Sequence, residues 1–413
     1  MSDPAQAGDS RLLTGTTARS GFSGTVVALA ALVGVFATTP GQTVGVSGFI
    51  DPIAADLGLS RDTVLVLYSI GTFLGILTAP TVGRLVDRFG PRRLVVPVVV
   101  ALAGACAYMS VAWNAWSLGL GFVLLRASAI AGLSLVTSQM VNLWFDRFRG
   151  RITALAMMGL ALGGLVVPPL AEAVTVNDGW RTAYLSLGAG VLALMLPVGV
   201  AFYRNKPEAH GAIRDFGRPR PASTGNTADG PTLGEATRTV DFWYLAALTL
   251  LVNAVNTALL LDHIRAMGAA GLDRGAAIAL LGAVTVSQAA MTLVAGILVD
   301  RFGARPVGLL GLAVLAFSVV SVMTGLGGGL AYAVALGAMI ATLQVAHSAG
   351  LAEAFGTTHL GAIRGTTFVV GVSGAALGPL PLVWSPLAAY SVFLALTAAG
   401  LALGWASLQR CKA

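Results

Sequence analysis

The sequence predicts an all-α integral membrane protein whose twelve transmembrane helices form two pseudo-symmetric six-helix bundles. Three observations carry this. Of 413 residues, 56% are hydrophobic and 10% charged, against roughly 25% charged in soluble domains; so few charges cannot cover a globule of this size. The apolar runs between polar clusters are mostly 20 to 28 residues long, enough at about 1.5 Å of helix rise per residue to cross a hydrocarbon layer of about 30 Å. The third observation is a repeat. Gly83 to Arg93 (GRLVDRFGPRR) returns 213 residues later as Gly296 to Arg305 (GILVDRFGAR), Arg149-Gly150 returns as Arg364-Gly365, and Pro168 as Pro379. Self-similarity at one long period marks a duplicated architecture, and duplicated membrane halves are a feature of secondary transporters.

Residues 1–21 are polar and rich in Ser, Thr and Gly, and read as an N-terminal tail. The first bundle occupies 22–203, with spans at about 22–50, 63–83, 94–112, 117–144, 152–175 and 180–203. Val26 to Ala37 has the look of a signal-peptide core, but the apolar run continues through Phe49 and further spans follow, so it reads as a retained helix. Residues 204–240 form a polar linker holding prolines, glycines and charges of both signs. The second bundle, 241–408, has spans at about 242–267, 275–298, 306–325, 329–354, 363–384 and 386–408, and 409–413 is a tail.

An even number of spans puts both termini on one side, and most of the 25 basic residues fall in the loops and tails of that side. The positive-inside rule therefore predicts a multi-pass protein of the bacterial plasma membrane with both termini cytoplasmic. The net charge of +7 is accounted for by those loops and their anionic lipid surface, not by nucleic acid. Cys106 and Cys411 provide neither a disulfide framework nor metal-ligand spacing. No zinc-protease HExxH, paired Cys-x-x-Cys, nucleophile elbow or phosphate-binding loop occurs, so neither an enzyme nor a cofactor is expected, and any transport must draw on gradients.

Within the repeated motif, Gly83 and Gly90 are expected to permit close helix approach and a tight turn, and Asp87 sits among Arg84, Arg88, Arg92 and Arg93. This segment resembles the loop motif of the major facilitator superfamily, G-x-L-x-D-R-x-G-R-[RK], with Pro91 at the first basic position. Pro40 to Thr43, Leu59-Ser60-Arg61, Asn142 to Gly150 (NLWFDRFRG), Gly179-Trp180-Arg181 and His359 to Gly365 resemble its bacterial branch related to monocarboxylate and oxalate:formate carriers. The resemblance implies a monomeric carrier in the lipid bilayer that moves a small molecule by alternating access. It also implies a cytoplasmic gate of Gly83, Asp87, Arg88, Gly90, Arg92, Arg93, Arg149, Asp300, Arg301, Arg305 and Arg364. In that gate Asp87 caps the start of the eleventh helix, and Asp300 meets the Arg147 to Arg151 cluster.

Arg126 is the one basic residue well inside a span. A mid-membrane arginine costs about 2.5 to 3.5 kcal/mol on insertion scales and normally faces a cavity or partner. It matches the fourth-helix motif R-x-x-x-G-x-G of the superfamily, with Ile130 in place of the first glycine and Gly132 keeping the second; the resemblance links it to proton coupling or to a substrate anion. The plainer alternative is a structural arginine satisfied by carbonyls. Gln42, Tyr68, Gln139, Asn253, Asn256, Gln288, Gln344 and His347 are the other in-span polar groups singled out, as substrate ligands or interhelical hydrogen bonds. Gln42 gains weight from the Pro40-Gly41 break before it.

Glu172, Asp262 and Glu353 lie near span ends, so no carboxylate relay is visible at the membrane centre; either the substrate supplies the anion and brings a proton with it, or one of these end carboxylates reaches into the cavity. The expected substrate is a monocarboxylate-type anion moved with protons. The alternative is efflux of a drug or natural product by proton antiport; Gly159 to Pro169 (GLALGGLVVPP) only partly resembles the G-P-x-x-G-G element of such antiporters. Carriers of monocarboxylates and oxalate place charged residues in span eight, whereas here span eight has Gln288 and Thr292 with no charge before Asp300.

Overall fold

A computed structural model describes residues 24–145, 148–205, 231–356 and 360–410, of which 360–362 and 406–410 are described by backbone only. The N-terminal tail, most of the linker, the last residues of the C-terminal tail, Arg147 and His359 lie outside the described residues.

The described residues are helical, and the helices follow the predicted order. Eleven are long and apolar enough to cross a membrane, but one of them, Arg149–Phe202, runs for 54 residues. A straight helix of that length would measure about 80 Å, far beyond a bilayer. It is two spans joined at Gly179, whose φ of 85° and ψ of 162° are non-helical, a conformation that only glycine adopts without strain. The count is therefore twelve.

Span one is less regular than expected. Its helix, Gly24–Phe36, gives way to Thr39–Gly41, Thr43–Val46, Ser47–Phe49 and Ile50–Leu57 in short pieces. Pro40 cannot donate a ladder hydrogen bond, and the Gly41 backbone lies against span four, where a Cβ would sit 2.7 Å from the Leu125 carbonyl oxygen. Span two breaks after Ile76 and resumes as Ala79–Phe89, so most of the repeated motif is helix rather than loop. Gly83 has open space where its Cβ would be, so it serves no close helix approach; Gly90, at φ 78°, does make the turn.

The duplication is visible in the backbone. Gly90 and Gly303 share one conformation, φ 78° and ψ 160° against φ 84° and ψ 166°. Each N–H closes its helix onto the residue four before it, Val86 and Val299, at 2.8 Å. Span three, Pro91–Ser110, and span nine, Ala304–Thr324, start directly after these glycines. Arg88 lies over the Phe89 ring at 5.2 Å and Arg301 over the Phe302 ring at 5.5 Å.

Span four runs Ala115–Arg126 and Leu135–Trp144, with a π-helical stretch, Ala127–Ser134, between them. Such widened turns recur at functional sites. Spans seven, eight and ten are Val240–Ala269, Arg274–Phe302 and Gly328–Phe355; eleven is Leu360–Leu377 with Leu380–Trp384, and twelve is Pro386–Arg410. The buried core is continuous across both halves, from Val27 on span one to Phe393 on span twelve.

Candidate functional site

A central cavity of about 600 Å³ lies between the halves. Its first wall includes Gln42 and Thr43 from the broken part of span one, Thr72 from span two, and Arg126 and Ser134 from span four. The second carries Asn253 and Asn256 from span seven, Gln288 from span eight and Gln344 from span ten. The lining continues through Ala79, Val141, Thr153 and Phe368, toward the face of the molecule at which span one begins and span twelve ends; we call this the terminal face.

Arg126 is 3% exposed. Its Nε donates to Thr72 Oγ1 at 2.9 Å and Nη1 to the Gly41 carbonyl at 2.9 Å, while Nη2 donates to Thr43 Oγ1 and to the Tyr68 hydroxyl. The guanidinium lies over the Tyr68 ring, 4.7 Å from its centre. The local sequence explains this geometry. The Pro40-Gly41 break frees the Gly41 carbonyl from a helical ladder, and Tyr68 and Thr72 share one face of span two at helical spacing. Four of the five guanidinium N–H groups are thus accounted for by neutral acceptors, and no carboxylate among the described residues pairs with the charge.

The structure separates the other candidates. Gln42, Asn253, Asn256, Gln288 and Gln344 join Arg126 around the cavity. Tyr68 stands behind the arginine, its hydroxyl donating to Thr43 Oγ1 at 2.9 Å. Gln139 lies outside the cavity and donates to Asp87 at 3.3 Å. His347 does not line it either; its Nε2 is buried without a hydrogen-bond partner among the described residues.

Among the described residues, ion pairs join the two halves at the face opposite the termini. There Arg61 of the first half donates to the Leu261 carbonyl at 2.7 Å and faces Asp262 of the second half at 3.5 Å. Asp262 also takes Arg265 and the Tyr390 hydroxyl. Arg274 of the second half reaches Glu172 and the Gly48 carbonyl of the first. The motif Gly179-Trp180-Arg181 forms a clasp within the first half: Trp180 and Arg181 both donate to Asp56, and Arg181 to the Ala112 carbonyl at 2.9 Å. The Arg181 guanidinium holds the Asp56 carboxyl below its ordinary range.

At the terminal face several gate residues have partners within their own halves among the described residues. Asp87 meets Gln139, and the Arg92 N–H donates to Asn205 at 3.0 Å. Arg149 reaches the Phe145 carbonyl, Arg305 pairs with Asp241 at 2.8 Å, and Arg364 donates to Ser348. The side chains of Arg93 and Asp300 have no hydrogen bond or ion pair among the described residues. The expected capping of span eleven by Asp87 falls at the start of that span, where the preceding backbone and the first side chains lie outside the described residues. Glu172 and Asp262 belong to the opposite-face closure, and Glu353 accepts from the Ala304 N–H at the start of span nine; none of the three lines the cavity.

The family model of the Major Facilitator Superfamily matches residues 30–379. The chain belongs to that superfamily. Membership in a transporter family, rather than the lack of a catalytic motif, sets the enzyme reading aside. The oxalate:formate antiporter of Oxalobacter formigenes is 26% identical over 50% of this chain and 46% of its own length. Monocarboxylate transporter 6 of Mus musculus is 34% identical over 29% of this chain and 27% of its own length. The multidrug resistance protein MdtG of Enterobacter lignolyticus is 26% identical over 33% of this chain and 32% of its own length. The chain thus matches about half or less of the length of these relatives. In fold it is similar to a bacterial homologue of the human lysosomal transporter Spinster, solved inward-facing and unoccupied, with a TM-score of 0.67 and 16% identity over 92% of each chain.

Proposed function

We propose that the protein is a secondary transporter that carries a small monocarboxylate-type anion together with a proton across the bacterial plasma membrane by alternating access. The observation that carries this reading is Arg126, a buried cation on a central cavity whose acceptors are all neutral. Burying an uncompensated charge is costly, and a substrate carboxylate supplies the missing countercharge at the remaining guanidinium N–H.

The terminal face, on the positive-inside argument, is cytoplasmic. Ion pairs close the far face while the cavity lining reaches this one, so the conformation is inward-facing. Substrate release then faces the cytoplasm, and the return step requires the Arg61–Asp262 and Arg274–Glu172 contacts to part. The chain acts as a monomer in this reading, because both walls of the cavity come from one chain. The names of the carboxylate-carrying relatives agree with an anion substrate; that of MdtG keeps proton-driven efflux of larger metabolites as the second reading, which the 600 Å³ volume also accommodates.

The test is uptake of labelled lactate, pyruvate, formate and oxalate into proteoliposomes, with and without an inward proton gradient. Gradient-driven monocarboxylate uptake that disappears in Arg126→Gln supports the proposal. No carboxylate flux through correctly inserted protein overturns it.

A further inference from the structure

The two walls of the cavity differ in chemistry. Arg126 is the cation of one, while the other has four neutral amides, Asn253, Asn256, Gln288 and Gln344. An unsubstituted alkanoate would leave those amides facing hydrocarbon, and a dicarboxylate would need a second cation that this wall lacks. Unmet polar groups in such a setting are costly, and sites that contain them select ligands that satisfy them.

Asn253 has a defined orientation. Its Nδ2 donates to the Thr249 carbonyl at 2.7 Å and to Thr249 Oγ1 at 3.3 Å. Span eleven approaches it through Gly371, where a Cβ would lie 3.1 Å from the same Nδ2. With its donor turned back onto its own helix, Asn253 is left with Oδ1, an acceptor, for the cavity. One turn further along the same face, Asn256 has a buried Oδ1 with no partner among the described residues, so a turn of that side chain toward the cavity brings a second amide to the same ligand group. The cavity, about 600 Å³ against roughly 30 Å³ for one water, is far larger than a one- or two-carbon acid.

We infer that the substrate is a hydroxylated monocarboxylate, with its carboxylate on Arg126 and a hydroxyl donating to Asn253 Oδ1. This rests on the anion reading of Arg126 and adds the requirement for a hydrogen-bond donor at the far end of the molecule. Asn253 is then the residue that distinguishes a hydroxy acid from its deoxy counterpart, and Thr249 is a positioning residue that fixes which amide atom is presented.

The experiment is equilibrium binding to the full-length purified protein with matched pairs, 4-hydroxybutyrate against butyrate and gluconate against hexanoate. The hydroxylated member is expected to bind about tenfold or more tightly. Asn253→Leu should bring the ratio toward one, and Thr249→Val should lower it part of the way, giving a second readout if the leucine variant does not fold. Equal affinity within the wild-type pairs, or a ratio that survives in folded Asn253→Leu, overturns the inference and leaves the anion reading standing. Binding of no monocarboxylate by folded protein overturns both.

Discussion

Arg61 and Asp262 face each other across the two halves, 3.5 Å apart, at the end of the molecule away from the termini. Asp262 is almost fully buried and Arg61 mostly so, with 2% and 20% of their side chains exposed. The pair therefore lies between a surface bridge, worth about 0.2 to 1 kcal/mol, and a buried one, whose broken partner costs roughly 3 to 5 kcal/mol. That is the range a reversible latch requires, since about 1.4 kcal/mol shifts a two-state population tenfold.

Arg61→Ala should accordingly shift the population toward the outward-open state by about tenfold. Spin labels at Ala55 and Ala269, both exposed near that face, should show a new, longer distance component in the variant. An unchanged distribution would mean that the Arg274–Glu172 contact and apolar packing hold the face without Arg61.

Arg126→Lys keeps the charge, but one ammonium cannot serve Thr72, Gly41, Thr43 and Tyr68 together as the planar guanidinium does. Monocarboxylate affinity should fall about tenfold or more, as expected for a lost charge-assisted hydrogen bond. Titration of substrate binding against the wild type measures this, and equal affinity would show that the fork geometry is irrelevant.

The motif glycines should separate by backbone conformation. Gly90→Ala, Gly303→Ala and Gly179→Ala place a Cβ at φ near 80° and should each cost about 1 to 3 kcal/mol. Gly83→Ala, helical and with open space at the Cβ position, should be neutral or stabilising by up to about 1 kcal/mol. Thermal unfolding in detergent compares the four, and a destabilised Gly83→Ala would overturn the assignment.

The Asp56–Arg181 clasp has a defined pH signature. Its folded-state carboxyl lies below the ordinary 3.8, so the stabilisation is present above that pH and is lost as pH falls through the folded-state value. Because Asp56 is 45% exposed, solvent screening keeps the effect small. The stability difference between the wild type and Asp56→Asn should be constant near neutrality and vanish only below about pH 3.8; a difference lost between pH 5 and 7 would place its origin elsewhere.

Span number, the duplicated halves and the in-membrane position of Arg126 were legible in the chain because each rests on local chemistry: run length against bilayer thickness, a repeated string, and one cation within an apolar run. The same local reasoning flagged Pro40-Gly41, because proline and glycine act on the backbone wherever they stand. It placed Glu172 and Asp262 only near span ends and gave Arg61 and Arg274 no partner, since pairs 102 and 201 positions apart become neighbours only when the halves dock. It also grouped Gln139 and His347 with the cavity amides. A span's sequence is apolar on every side, so which polar residue faces the central cavity and which faces a neighbouring helix depends on helix rotation and packing, and these are set by the tertiary fold.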